Sequence, residues 1–414
     1  MRRVFVGDFR IDQEERRAIE EVLDIGRLSE GQKTQEFEKL FGRYIGTKYC
    51  IATNSGTSAL IAGLTALKYH SKTNVKKKSK VITTPLSYVA TSNAISLCGL
   101  EPIFVDIDRF TFGITPENIE RCLKRHKNTK NFSIILPVHL FGFPCDMDAI
   151  NSIAQKYGLI VVEDSAQAHG SVYKGRKTGT YSLFSIYSFY IAHNIQAGEM
   201  GSVNTDDIEL MRLVKKIKAN GRLCDCSICT RNRGICPRMQ ESNSSTDDSD
   251  PRFTHDIIGY NFKIMETQAA LAISQVKKAD SIFNKRLQNV HYLNRYLEKY
   301  ADIIQIPPFS RDVSYLAYPI VIKDPAVIRR KRLRFELEKR GIENRPLFGC
   351  IPTQQPAYNY LKPLYQGKLP NAEYIGQNGF YIGCHQYLEK DDLDYIVSVF
   401  DELLGKVIKG KQLV

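Results

Sequence analysis

No stretch of this sequence is apolar for long enough to cross a bilayer, which argues against a membrane protein. Its start, Met1-Arg-Arg-Val-Phe-Val-Gly7, lacks the basic, apolar and small-residue regions of a secretory signal, so a cytoplasmic location is expected. Internal repeats are absent, which excludes solenoids and propellers. The net charge is +13, yet no recognised DNA- or RNA-binding motif accompanies it. Apart from Lys76-Lys-Lys-Ser-Lys80 and Arg329-Arg-Lys-Arg332, the basic residues are spread along the chain. A surface suited to anionic small molecules is therefore expected, rather than one that binds nucleic acid.

What is present is ordinary for a globular enzyme. The 414 residues can form a large core and more than one domain, with 43% hydrophobic and 25% charged residues. Ten cysteines in a cytosolic chain do not suggest a disulfide framework. Six are scattered. The other four, Cys224, Cys226, Cys229 and Cys236, are clustered, and clustering of that kind points to a metal site.

The first half alternates short apolar runs with helical segments. Val81–Pro85, Pro102–Asp106, Ser133–Pro137 and Leu159–Glu163 read as buried strands of a mostly parallel sheet. Ser58–Leu67, Tyr88–Leu97, Pro116–His126 and Asp146–Tyr157 read as helices, with Pro116 suited to a first turn and Gly158 to a helix end. This alternation predicts an α/β architecture. Residues 220–251 break the pattern with the cysteines and then a polar run over 241–250, expected to be a mobile loop. One long helix from Glu266 to about Lys299 is expected next, bridging to a smaller α+β domain. In that domain Tyr315–Ile322 reads as a strand and Val327–Lys339 as a basic amphipathic helix. The expected domains are 1–275 and 276–414.

Several segments carry chemistry. Asn54-Ser-Gly56-Thr57-Ser58 can form an anion-binding turn at a helix start, although an ordinary helix cap reads the same way. Tyr88 lies in Thr84-Pro-Leu-Ser-Tyr88-Val-Ala-Thr-Ser-Asn93, and in isolation a core tyrosine is the commoner case. Val161-Val-Glu-Asp164-Ser-Ala-Gln167 puts an acid just past a buried strand, at the carboxyl end where α/β sites form. Ser188-Phe-Tyr-Ile-Ala-His193-Asn-Ile-Gln-Ala-Gly198-Glu-Met-Gly201 presents a histidine in a glycine-bounded loop. Gly259-Tyr-Asn261-Phe could be a simple turn.

Taken in this order along the chain, these pieces resemble the DegT/StrS family of nucleotide-sugar aminotransferases and dehydratases. The resemblance implies the fold-type-I architecture of pyridoxal-phosphate (PLP) enzymes: a large, mostly parallel sheet domain, a smaller C-terminal domain, and a homodimer with shared sites. It implies that Gly56, Thr57 and Ser188 bind the cofactor phosphate, that Tyr88 stacks on the pyridine, and that Gln167 faces the ring hydroxyl. Asp164 would keep the pyridine nitrogen protonated, so that the ring can act as an electron sink. Asn261 would reach the phosphate in the neighbouring subunit.

Two departures stand out. Met200 replaces a glycine usual in the family, and His193 stands where the family carries its cofactor-anchoring lysine. Lys174 and Lys177 lie upstream and do not fit the frame. Histidine cannot hold PLP covalently, but it can move protons near neutral pH. Within the family this exchange marks 3-dehydratases, which use pyridoxamine phosphate (PMP) to remove the C3 hydroxyl of a nucleotide-linked 4-keto-6-deoxy sugar. One branch lacks iron and restores the cofactor with glutamate. The other carries an iron–sulfur cluster and takes electrons from a reductase partner. Cys224, Cys226, Cys229 and Cys236 favour the iron–sulfur branch, with a structural zinc as the alternative. An ordinary sugar aminotransferase and a non-catalytic sensor that binds cofactor or sugar are the remaining readings.

Overall fold

A computed structural model describes residues 2–126, 128–224, 226, 253–408, 410 and 413. The strands are β1 (Tyr49–Thr53), β2 (Lys80–Thr83), β3 (Glu101–Phe104), β4 (Phe132–Leu136), β5 (Ile160–Asp164), β6 (Val172–Tyr173), β7 (Arg176–Lys177), β8 (Phe184–Ser188), β9 (Gly201–Thr205), β10 (Ile304–Gln305), β11 (Tyr318–Ile322), β12 (Asn344–Pro346) and β13 (Gly379–Ile382). Seven form one sheet in the order β1-β9-β8-β5-β4-β2-β3, and β9 alone runs antiparallel to its neighbours. A four-stranded antiparallel sheet, β10-β11-β13-β12, forms the second layer system.

Burial on both faces explains the apolar runs. Along β8, Phe184 and Ile186 enter the main core. Tyr187 and the following Phe189 enter a second core, built with Phe37 and Phe41 of helix Gln32–Ile45 and with Ala269–Val276. Phe41 meets Tyr187 and Phe189 edge-on at centroid distances of 5.0 and 4.9 Å, a favoured aromatic geometry.

The four expected strands are present to within two residues, as are the four helices between them: Gly56–Ala66, Ala90–Leu97, Pro116–Arg125 and Met147–Tyr157. Gly158 ends its helix in the left-handed conformation, at φ 65°. The expected single helix after Glu266 is two, Glu266–Lys277 and Ala279–Leu297. The break falls at Lys278, whose ammonium bonds Asp12, the N-cap of helix Gln13–Ile25, at 2.8 Å and Glu15 within that helix at 2.7 Å. The later strand is shorter than expected, Tyr318–Ile322, and the basic helix spans Arg330–Lys339 with Leu333 and Leu337 buried. Most of 220–251 lies outside the described residues, including Cys229 and Cys236. Among the described residues, no helix is long and apolar enough to cross a membrane.

One strained junction joins the two sheets. Phe141 and Gly142 are both left-handed, at φ 55° and 91°. A Cβ on Gly142 would lie 2.3 Å from the Ser314 carbonyl oxygen, so only glycine fits this approach. The Gly142 carbonyl accepts from Ser171 Oγ at 2.5 Å, and the Phe141 carbonyl from Leu316 N at 3.3 Å. The chain leading into β11 is thereby tied to the loop after β4.

Candidate functional site

Strands β5 and β8 lie side by side and parallel, so their carboxyl ends open into the same cleft. The cleft measures about 500 Å³. Its walls include Gly56, Thr57, Tyr88, Asp164, Gln167, Ser188 and His193 from the large sheet, and Arg345, Phe348 and Tyr381 from the small one.

At one end, Ser55 caps helix Gly56–Ala66 by accepting from Ser58 N at 3.1 Å. Gly56 then brings the helix start against Ser188. A Cβ there would lie 2.6 Å from Ser188 Cβ and 3.1 Å from its hydroxyl oxygen. Gly201 likewise packs on the Ser55 carbonyl, where a Cβ would come within 2.3 Å. Free helix N–H groups and a serine hydroxyl thus converge on a space that suits an anion.

Asp164 is 4% exposed. Its carboxylate accepts from Thr91 Oγ1 at 2.8 Å and from Ala166 N at 3.2 Å. Burial raises its pKa above the ordinary aspartate value, against the lowering effect of those two donors. A cationic N–H donor beside it would offset that burial. Its neighbour Glu163 points to the other face, where His139, Ser182 and two backbone amides satisfy it. Burial alone would raise Glu163, but these donors bring it below its usual value. The Gln167 amide oxygen accepts from Phe141 N at 2.9 Å. The left-handed turn at Phe141 therefore fixes the amide, with its NH2 group left to donate.

Tyr88 is 62% exposed, which rules out a core role. Its ring meets Phe348 edge-on at 6.1 Å. His193 sits in a loop between β8 and β9, closed by Phe189 N to Met200 O, Ala197 N to Phe189 O and Ile191 N to Gly198 O. Its Nδ1 donates to the Ser188 carbonyl at 2.8 Å, which leaves Nε2 as the unprotonated nitrogen of the neutral ring. Burial pushes its pKa down to about 4. Among the described residues lining the cleft there is no lysine. Lys177 lies in the β6–β7 hairpin and donates to the Tyr44 carbonyl, and Lys174 pairs with Asp148.

The sequence pattern of the DegT/DnrJ/EryC1/StrS aminotransferase family matches residues 10–401. The chain belongs to that family. It is 30% identical to a dTDP-4-dehydro-2,6-dideoxy-D-glucose 3-dehydratase of Saccharopolyspora spinosa, over 96% of this chain and 85% of that protein. It is 28% identical to a GDP-perosamine synthase of Caulobacter vibrioides, over 97% and 98% of the two chains. Among solved structures, E. coli GDP-4-keto-6-deoxy-D-mannose 3-dehydratase with bound hydrated PLP superposes with a TM-score of 0.84 at 27% identity, covering 96% of this chain and 99% of that one. The architecture is that of fold-type-I PLP enzymes.

Not every expected residue meets in the cleft. Asn261 is exposed, pairs with Ala219 in an isolated bridge, and is not part of the cleft wall. Cys224 and Cys226 line a separate pocket with Arg27, Lys218 and Lys263, while Cys229 and Cys236 lie outside the described residues. No group of three or more metal-binding side chains occurs among the described residues. Sequence reasoning overlooked Thr91, the donor to Asp164. It stands three residues after Tyr88, in the first turn of helix Ala90–Leu97. The wall supplied by Tyr381 had no local signal.

These residues fit a phosphorylated pyridine: a cradle that a Cβ on Gly56 would fill, a buried carboxylate, and a fixed amide. Gly56→Ala should displace Ser188 from the helix start. We expect PMP binding to weaken at least tenfold, about 1.4 kcal/mol, in an absorbance titration with an unchanged circular-dichroism spectrum. Unaltered affinity would contradict a phosphate at this turn.

Proposed function

We propose that this protein is a PMP-dependent 3-dehydratase that removes the C3 hydroxyl of a nucleotide-linked 4-keto-6-deoxy sugar. The observation that carries this reading is His193 in the place of a lysine, in a cleft with no lysine among its described lining residues. A relative named as a 3-dehydratase and one named as a GDP-perosamine synthase are similarly distant, so family membership alone does not choose between them.

When bound, PMP supplies an amine that reacts with the C4 ketone and a ring that accepts electrons. Asp164 would hold the ring N–H, Gln167 would donate to the ring hydroxyl, and Gly56, Thr57 and Ser188 would bind the phosphate. Tyr88, with its exposed face, would cover the ring. His193 Nε2 would take a proton from the carbon bearing the amine, then return a proton to the hydroxyl leaving C3 as water. Lysine at this position would instead bond to PLP and stop the cycle.

Asn261, exposed and outside its own chain's cleft, supports a homodimer in which it serves the partner's site. For the cysteines we infer an iron–sulfur cluster on Cys224, Cys226, Cys229 and Cys236, with a reductase as electron donor. The four thiols supply the usual ligand number, and Cys224 and Cys226 open on a pocket that also holds Arg27, Lys218 and Lys263.

Two outcomes test this. In His193→Lys, borohydride reduction after loading with PLP should leave the cofactor covalently attached at position 193, and C3 deoxygenation should be lost. Full dehydratase activity in that variant would sink the reading. Anaerobically purified protein should contain iron and acid-labile sulfide in matching amounts, lost in a Cys224→Ser/Cys226→Ser double variant. Zinc without sulfide would make the cysteines structural and shift the electron source to an iron-free, glutamate-coupled cycle.

A further inference from the structure

The cleft holds a cation to which the mechanism above gives no task. Among the described residues of its wall, Arg345 is the only lysine or arginine. The carboxylates there are Asp164, already engaged by Thr91 and Ala166, and Glu199. The turn at Gly56 meets an anion with helix N–H groups and the Ser188 hydroxyl, so it does not call on a guanidinium.

Strand register aims Arg345 into the cleft. Successive side chains on a strand point to opposite faces. On β12, Asn344 is 3% exposed and turns to helix Arg330–Lys339, where its Oδ1 accepts from Arg334 Nε at 2.7 Å. Arg345 therefore faces the other way. Its cross-strand partner on β13 is Tyr381, which stands between the fully buried Phe380 and Ile382 and also lines the cleft. Residues directly opposite in an antiparallel pair share a face. The small sheet thus sends a guanidinium and a phenol into the cleft together.

The guanidinium is oriented without being used up. Arg345 Nε and Nη2 donate to Glu343 Oε1 at 3.3 and 3.1 Å. The other oxygen of that carboxylate accepts from Val6 N at 2.9 Å. Val6 belongs to an N-terminal segment bonded to the chain before β12: Val4 N donates to the Gly341 carbonyl and Glu343 N to the Val4 carbonyl, each at 2.9 Å. The segment is tightly seated, since a Cβ on Gly383 would lie 2.2 Å from the Phe5 carbonyl oxygen. Arginine has five N–H donors, of which Glu343 takes two. The Arg345 side chain is 44% exposed, and an ion pair this open to water contributes little stability. The remaining N–H groups form a fork that matches phosphate oxygens.

Resting on the reading of the substrate as a nucleotide-linked 4-keto sugar, we propose that Arg345 binds its diphosphate, and so selects nucleotide-linked sugars over free ones. With the C4 ketone at the cofactor amine beside His193, the diphosphate on C1 leaves from the opposite side of the sugar ring. It points away from the cofactor and toward the opening, where a half-exposed guanidinium on the facing sheet can meet it.

The test is calorimetric titration of PMP-loaded protein with GDP, CDP, UDP and dTDP in turn. At least one should bind the wild type, and Arg345→Gln should weaken it about tenfold or more, the loss of a charge-assisted hydrogen bond. PMP affinity and the circular-dichroism spectrum should not change. Arg345→Lys, which keeps the charge but not the fork, should fall between the two. A folded Arg345→Gln protein that binds the nucleotide as tightly as the wild type would overturn the proposal, as would one that loses affinity for PMP or for glutamate instead. Should that variant not fold, phenylglyoxal labelling of the wild type decides. Bound nucleotide should protect Arg345 in the peptide masses, and labelling that continues unprotected would overturn the proposal. Failure of all four nucleotides to bind the wild type would sink the nucleotide-sugar reading as well, whereas undiminished binding in Arg345→Gln would leave that reading standing.

Discussion

The hydrogen bond from His193 Nδ1 to the Ser188 carbonyl, 2.8 Å long, is the contact on which the cleft depends. It fixes the tautomer, and so decides that Nε2 is the nitrogen available for chemistry. It also binds the His193 loop to the end of β8, beside the serine that packs on the helix start at Gly56. Because β8 pairs with β5, the same strand end sets the position of Asp164 across the cleft. One short loop, closed on itself by three backbone bonds, thus registers His193 against both the anion-suited turn and the buried acid.

Electrostatics divides the cleft into two sides. On the β5 side a buried carboxylate is held above its ordinary pKa and calls for a cationic N–H donor. On the loop side burial holds a histidine well below its ordinary value. The first arrangement suits a protonated ring, the second a base that stays free at neutral pH. The strained pair Phe141–Gly142 links them mechanically: it fixes the Gln167 amide and ties the Ser314–Leu316 segment, which accepts a hydrogen bond from Asn194 beside His193, to the large sheet.

The sequence revealed the central parallel strands because burial on both faces makes them continuous apolar runs. One strand toward the other side of the sheet was illegible for the opposite reason. β9, Gly201-Ser-Val-Asn-Thr205, is fully buried yet mostly polar, its side chains satisfied within the fold. The small sheet joins strands distant in sequence, such as β11 and β13, which local patterning does not foretell. The break at Lys278 carried no glycine or proline and depends on a tertiary ion pair. Within the site, Asp164 was readable because it follows an apolar run, and His193 because its frame resembles a known segment.

The central claim is that a histidine in place of lysine turns this cleft from amino transfer to loss of a hydroxyl. The most direct measurement is the mass and NMR spectrum of the sugar after incubating PMP-loaded protein with a nucleotide-linked 4-keto-6-deoxyhexose and an electron donor. The account predicts a product that has lost the C3 oxygen and gained no nitrogen. A product that keeps its C3 hydroxyl and carries an amine at C4 would contradict it.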